Sequence, residues 1–282
     1  MTFQFPEVHA RLGQLIEAET PFVLATVVRT KNATSAKAGG KAIVEQDGTI
    51  VGWLGGGCVQ SSVRDAARAV RQTGKPRLIK IVPKVEAADG ETEGAMPLYR
   101  SSCPSGGTVE IFLEPVLPRA QLVICGGSPI ARALADLGHW LGFAVVVAAL
   151  ADDLASFEAA DQRIEGFDLS ELPAASERYL VVATQGKRDK EALRAVLAVE
   201  APYRAFVGSR EKGKALKATL LGEGVDGERL RALKTPAGLD IGGIGPQEVA
   251  LSVLTEIVAQ RRCAQTSATE PSTIGLAANE RT

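Results

Sequence analysis

The amino-acid sequence predicts an α/β protein of two domains, a mixed α/β domain followed by a domain with a doubly wound parallel sheet. The chain has 282 residues, whereas a single domain has roughly 150. In the first half, two apolar runs flank Asp47-Gly48, which is a strong signal for a β-hairpin. In the second half, strand-like and helix-like runs alternate, as they do in a parallel sheet covered by helices.

The first domain is predicted to span residues 1–116. Its elements are, in order, a helix over 7–19, strands over 22–28, 41–45 and 49–53, a helix over 58–73, and strands over 78–83 and 108–114. The second helix repeats apolar residues on one face, so we expect that face to pack on the sheet. The acidic segment 85–98 is expected to be an exposed loop, and Pro115 to Arg119 is expected to link the domains.

The second domain is predicted to span residues 117–262. Its elements are strands over 121–125, 144–149, 179–184 and 203–208 and helices over 129–141, 189–199 and 246–262. The last helix begins at Pro246, and proline is favoured at the first helical position. The segment 263–282 is rich in Ser, Thr and Ala without periodicity, which predicts a disordered tail.

Composition argues against several classes of protein. The net charge is -1, so nothing in the composition favours a nucleic-acid partner. The longest apolar run, 141–151, is shorter than the ~20 residues of a membrane span. Because the N-terminus also lacks the basic start of a signal peptide, we expect a cytoplasmic location. Four cysteines without C-x-x-C spacing and only two histidines predict neither a zinc site nor a histidine-dependent hydrolase.

Two glycine-rich segments of the first domain carry a cysteine. Gly55, Gly56 and Gly57 precede Cys58 at a predicted strand-to-helix junction. Glycines let a ligand approach the backbone, and the start of a helix attracts anions and favours a thiolate, which is a nucleophile or a soft ligand. Cys103 precedes Gly106 and Gly107 in a loop that leads into a strand. The alternative for Cys58 is a tight turn with a small buried cysteine.

The second domain opens with a turn that resembles the dinucleotide-binding fingerprint. Gly126 and Gly127 follow a predicted strand, and Ser128 is placed to cap the next helix. Ser128 stands where the fingerprint has its second glycine, and an acidic residue is missing after Ala149. The turn therefore predicts a Rossmann-like fold with an anion-binding helix start, or an ordinary helix cap without nucleotide, and NAD(P) binding is doubtful.

A second helix start in this domain carries basic side chains. Gly208 and Ser209 precede Arg210 and Lys212, which offer a hydroxyl, a guanidinium and an ammonium group to an anion. The alternative is a solvated basic first turn of a helix, since Lys and Arg are mostly exposed in proteins.

Taken together, these motifs resemble the XdhC/CoxI family of accessory proteins for molybdenum hydroxylases, over residues 8–262. The resemblance lies in Gly52-Trp53-Leu54-Gly55-Gly56-Gly57-Cys58, in Cys103-Pro104-Ser105-Gly106-Gly107 with the strand that follows, in Ala183-Thr184-Gln185-Gly186, in Gly208-Ser209-Arg210-Glu211-Lys212, in Pro236-Ala237-Gly238-Leu239-Asp240-Ile241-Gly242-Gly243 and in Pro246-Gln247-Glu248. Several motifs in one order are far more specific than any one of them.

The resemblance implies a non-catalytic chaperone that binds molybdenum cofactor, protects it during sulfuration and delivers it to a client such as xanthine dehydrogenase. A cysteine desulfurase partner, a homodimer and an N-terminal XdhC/CoxI-type domain are also implied. Cys58 and Cys103 are then expected close together as ligands for the molybdenum end. The helix start at Gly126 to Ser128 or at Gly208 to Lys212 is expected to take the phosphate end, with the cargo in a cleft between the domains. The alternative function is an NAD(P)-linked oxidoreductase that uses the Rossmann-like domain.

Overall fold

The structure, a computed structural model, describes residues 5–32, 34–83, 97–101, 107–173 and 175–267. The chain divides into two compact units, Met1–Pro118 and Arg119–Thr282. The first contains a mixed sheet and the second a parallel sheet, so the predicted α/β class is confirmed. Within the described part of the chain, no helix is both long enough and apolar enough to cross a membrane.

The first unit is a six-stranded sheet with two helices. Its elements are α1 (Pro6–Glu17), β1 (Phe22–Lys31), β2 (Lys41–Val44), β3 (Ile50–Gly52), α2 (Gly57–Thr73), β4 (Arg77–Pro83), β5 (Leu98–Ser101) and β6 (Thr108–Val116). The strand order is β3-β2-β1-β6-β4-β5, and only β4 and β5 pair in parallel. The predicted hairpin is confirmed as β2 and β3, and the apolar face of α2 is buried against the sheet.

Two predictions for the first unit need correction. The expected linker from Pro115 to Arg119 begins inside β6, because Pro115 and Val116 still pair with β1. Proline is tolerated there since β4 pairs with β6 only as far as Leu113, and the rest of β6 has one neighbour. The segment 85–98 was expected to be a loop. Its residues up to 96 lie outside the described part, and Leu98 begins β5, a short edge strand that the sequence pattern did not reveal.

The second unit is a five-stranded sheet with helices on both faces. Its elements are β7 (Gln121–Cys125), α3 (Pro129–Trp140), β8 (Ala144–Ala149), α4 (Ala151–Leu154), β9 (Gln162–Glu165), β10 (Arg178–Val182), α5 (Asp189–Ala198), β11 (Tyr203–Phe206), α6 (Arg210–Gly222), α7 (Gly227–Ala232) and α8 (Pro246–Ser267). All strands are parallel in the order β11-β10-β7-β8-β9, as predicted for a doubly wound sheet. One apolar cluster packs α3 and α8 on one face, and another packs α5 and α6 on the other.

The strand order places a topological switch point beside β7. The chain runs from β7 to β8 and β9 on one side and returns to β10 and β11 on the other. In doubly wound sheets, ligands bind at the carboxyl ends of the strands near such a point. A ligand site of this fold is therefore expected at the carboxyl ends of β7 and β10.

Several elements of the second unit were not predicted. The edge strand β9 has the polar sequence Gln162-Arg163-Ile164-Glu165, which gives little apolar signal. The helices α4 and α7 are one or two turns long, too short for a clear periodicity. The final helix α8 extends through Ser267, so the predicted tail from 263 is wrong in its first residues, and residues 268–282 lie outside the described part.

Candidate functional site

The glycine-cysteine turn of the first unit connects β3 to α2. Gly55 has a φ of +115°, which an L side chain rarely adopts, and Gly56 caps the start of α2. The backbone N–H of Gly56 donates a hydrogen bond of 3.0 Å to Ser35 Oγ. Cys58 is the second residue of α2 and is half-buried, so it does not belong to the buried core cluster of this unit.

Gly56 and Gly57 of this turn have few neighbours among the described residues. A Cβ added at Gly56 would meet its nearest atom, Ser35 Oγ, at 3.7 Å, an ordinary contact distance. At Gly57, no described atom lies within 4 Å of such a Cβ. Packing within the described residues therefore does not require glycine at either position. Beside these glycines lie the Cys58 thiol and the positive end of the α2 dipole, which favours negative charge.

The second cysteine segment is covered only in part. Cys103 and Gly106 lie outside the described residues, and Gly107 directly precedes β6. The proximity of Cys58 and Cys103 stays a prediction.

The β7–α3 turn of the second unit has a different structure. Gly126 has a φ of +128°, and a Cβ there would lie 2.5 Å from the backbone carbonyl oxygen of Ala183, just after β10. Ser128 is buried, and its Oγ accepts a hydrogen bond of 3.1 Å from the Ala131 N–H, so its predicted role as N-cap of α3 is confirmed. Glycine is thus needed at position 126 because the backbone after β7 passes too close to the backbone after β10 for a Cβ.

Glycine is needed at position 127 because the Asp153 side chain occupies the space where a Cβ would be. The Asp153 side chain, from α4, packs directly onto Gly127, so that a Cβ added at Gly127 would overlap it. Both Asp153 carboxylate oxygens lie 3.4 Å from Lys187 Nζ. The acid that was missing directly after β8 is therefore present four residues later and covers the glycine turn.

Behind this turn, a buried carboxylate organises the loop after β10. Asp189 accepts hydrogen bonds from the Thr184 hydroxyl and, at 3.1 Å, from the Gly186 N–H. Its other oxygen lies 2.6 Å from Lys212 Nζ. Burial acts to raise the pKa of Asp189, but the hydrogen bonds and the charge of Lys212 outweigh burial and lower the pKa below its usual value.

This ion pair changes the interpretation of Lys212. The sequence predicted that its ammonium would meet an anion at the start of α6, where Ser209 caps the helix by accepting the Lys212 N–H at 3.2 Å. In the structure the ammonium is bound by Asp189 and lies 5.5 Å from the centre of the Phe206 ring. Lys212 therefore already has an anionic partner inside the protein.

A cavity of about 790 Å³ lies at the carboxyl end of β11. Gly208 and Arg210 line it at the start of α6, and Ile130 and Ser252 line it from α3 and α8. The whole segment 234–243 forms most of the remaining wall, together with Val207 and Val249. The volume lies in the range of small-molecule sites. Among the described residues, Arg210 makes no ion pair, so its guanidinium can meet an anionic ligand.

The wall of this cavity is held by a second carboxylate, whose side chain is only 13% exposed. Glu256 on α8 accepts hydrogen bonds from the Gly238 N–H at 3.0 Å and from the Tyr203 hydroxyl at 2.7 Å, and it pairs with Lys234. Burial raises the pKa of Tyr203, which keeps the phenol protonated as a donor. Gly238 has a φ of +92° and no room for a Cβ beside Ser252. Sequence reasoning did not assign this wall to a site, although its signal was the Pro236 to Gly243 motif.

The predicted site residues that the structure describes are not gathered in one place. Gly208 and Arg210 line the cavity, whereas Ser209 and Lys212, which also lie at the start of α6, do not. Gly126, Gly127 and Ser128 form the β7–α3 turn. Gly55, Gly56, Gly57 and Cys58 form the turn of the first unit. Among the described residues, no three His, Cys, Asp or Glu side chains are grouped as a metal site.

Comparison with known families gives matches in both units. The model of the XdhC and CoxI family matches residues 15–82, which include the glycine-cysteine turn. The model described as the XdhC Rossmann domain matches residues 122–257, which include the cavity and the β7–α3 turn.

Individual relatives are more distant. The chain is 28% identical over 258 residues to the uncharacterized protein YqeB of Escherichia coli strain K12, covering 87% of this chain but only 44% of that protein. It is 24% identical over 328 residues to a Bacillus subtilis strain 168 protein named as a probable xanthine dehydrogenase subunit, covering 90% of this chain and 97% of that protein. A crystal structure described as a xanthine dehydrogenase from Bacillus halodurans has a TM-score of 0.46 and 21% identity, covering 93% of this chain and 97% of that one.

Proposed function

The chain belongs to the XdhC and CoxI family, and on that premise we propose that it is an accessory protein for a molybdenum hydroxylase such as xanthine dehydrogenase. In this proposal the protein binds molybdenum cofactor as its cargo, holds it during sulfuration and delivers it to the client enzyme. The Bacillus subtilis relative, whose name refers to xanthine dehydrogenase and which aligns over nearly its whole length, supports the association with that enzyme. A cysteine desulfurase partner and a homodimer belong to the same proposal.

The observation that carries the proposal is the glycine-cysteine turn at the start of α2. Gly56 and Gly57 have no packing reason among the described residues to be glycine, and Cys58 follows them half-buried. A thiolate is a suitable soft ligand for the molybdenum and dithiolene end of the cargo, and the positive end of the α2 dipole suits the negative charge of that end.

The test measures the cargo that the protein carries. The full chain is purified from a host that makes molybdenum cofactor, and the bound pterin is oxidised and measured by its fluorescence. We expect Cys58→Ala to lower the pterin content by about tenfold or more. Losses in metal affinity of this size are typical when a residue that supports a metal site is mutated. The sequence predicts the same for Cys103→Ala. Cys263→Ala is the matched control, since Cys263 is exposed on α8. Wild-type pterin content in Cys58→Ala would overturn the proposal.

Within the second unit, we assign the phosphate of the cargo to the cavity beside Arg210. Its guanidinium pairs with no described carboxylate, whereas Lys212 is bound to Asp189. Arg210→Ala is therefore expected to weaken pterin retention and to make it less sensitive to salt, because a charge pair exposed to solvent is screened. Lys212→Ala should lower stability while the salt dependence of retention stays as in the wild type. Equal retention by Arg210→Ala and wild type at low and high salt would contradict this assignment.

A further inference from the structure

The β7–α3 turn, which would bind the diphosphate of a dinucleotide, is covered by a carboxylate. Doubly wound sheets place such a diphosphate at the start of the helix after the first strand. In this chain the Asp153 side chain packs onto Gly127, which directly precedes Ser128, the N-cap of α3. Only 18% of the Asp153 side chain is exposed, so it is held in place rather than free in solvent.

Electrostatics explains why a carboxylate is stable at this position. A helix start carries partial positive charge and attracts anions. Lys187, in the loop after β10, adds a full positive charge 3.4 Å from both carboxylate oxygens. The turn thus has the surroundings of a phosphate site, but an internal anion lies against it. A phosphate brought to the same turn would meet both the bulk and the charge of Asp153.

We propose that Asp153 is a built-in anion that closes the β7–α3 turn and excludes dinucleotides from the second unit. It is a specificity-determining residue, since a diphosphate at this turn would have to displace its carboxylate. The glycines of the turn are explained without a nucleotide, Gly126 by the carbonyl group of Ala183 and Gly127 by Asp153. The inference does not depend on the identity of the cargo.

The test is a titration of the full chain with NADH, followed by the fluorescence of the nucleotide, with ADP-ribose as competitor. We expect no saturation of the wild type up to about 1 mM NADH and binding at least about tenfold tighter in Asp153→Ala. Asp153→Asn removes the charge but keeps the bulk on Gly127. Its affinity for NADH should therefore lie between those of the wild type and Asp153→Ala. Asp152→Ala is the matched control, because Asp152 is the exposed neighbour on the same helix.

Thermal unfolding of each variant establishes that it is folded before the titration. Micromolar binding of NADH to the wild type would overturn the inference, and so would an Asp153→Ala variant that binds no better than the wild type. Pterin content, measured on the same preparations, tests the proposed function separately. A loss of pterin in Cys58→Ala together with unchanged NADH binding in Asp153→Ala would therefore reject only the present inference.

Discussion

The two glycine turns that precede helices differ in what their glycines contact. In the first unit, a Cβ added at Gly57 would have no described atom within 4 Å. In the second unit, Gly126 is blocked by the backbone of Ala183 and Gly127 by the side chain of Asp153. Packing among the described residues thus does not explain Gly56 and Gly57 of the first turn, whereas the second turn uses its glycines to pack against Ala183 and Asp153. A glycine-rich strand-to-helix turn is therefore a sign of ligand binding only when packing does not already explain the glycines.

The same contrast applies to the cysteine next to each turn. Cys58 follows the first turn and is half-buried, whereas Cys125 precedes the second turn and is completely buried at the end of β7. Burial raises the pKa of Cys125 to about 12, so its thiol stays protonated at neutral pH. Position beside a glycine turn thus does not by itself make a cysteine reactive.

The largest expected effect concerns this buried thiol. With iodoacetamide at pH 8, we expect Cys125 to react at least about a thousandfold more slowly than the exposed Cys263, because only the thiolate reacts. Mass spectrometry of peptides from the native protein measures both rates. Similar rates for the two cysteines would show that the end of β7 is open to solvent. The cysteines beside the two turns would then not differ in burial.

The next largest expected effect is the loss of stability when alanine replaces a glycine of the second turn. Gly126→Ala places a Cβ 2.5 Å from the Ala183 carbonyl oxygen and imposes a φ of +128° on an L residue. We expect a loss of about 3 kcal/mol or more in the free energy of unfolding, from overpacking and backbone strain. Urea unfolding followed by circular dichroism measures it. A loss below about 1 kcal/mol would mean that the turn relaxes easily.

The carboxylate that holds the loop beside Gly126 should give a smaller, pH-dependent effect. Asp189→Asn removes a charged acceptor from Thr184, Gly186 and Lys212, which predicts a loss of about 2 kcal/mol at pH 7. Because the folded pKa of Asp189 is lowered, its contribution is complete above about pH 5 and is lost as pH falls below the usual range of an Asp. Thermal midpoints of wild type and variant should therefore converge as the pH is lowered through that range. A constant difference between the midpoints would exclude this role for the ionised carboxylate.

Alanine at the first turn should have the smallest effect on stability. At Gly57 the added methyl group meets no described atom, and alanine is better than glycine at a helical position. The free energy of unfolding should stay the same or rise by up to about 1 kcal/mol. If the turn binds cargo, the pterin content of Gly57→Ala should fall despite this stability. If Gly57→Ala loses stability instead, the packing of the protein requires glycine at position 57, as it does at position 126.

Local sequence signals predicted much of the fold. Asp47-Gly48 predicted the β2–β3 hairpin, Ser128 before Pro129 predicted the cap of α3, and the alternating runs predicted the parallel sheet. The strands that were missed, β5 and β9, are short sheet edges. An edge strand is paired on one side only, so its sequence need not carry the apolar pattern that marks a central strand.

The sequence by itself determined the elements, their caps and the family motifs, because these depend on neighbours a few residues apart. Only the tertiary structure decided which motif residues are accessible. It placed Asp153 on Gly127 and bound Lys212 to Asp189, and it built the wall of the Arg210 cavity from the segment 234–243. Such contacts join residues from different elements, so they follow from how helices and loops pack at the carboxyl ends of the strands and not from local propensity.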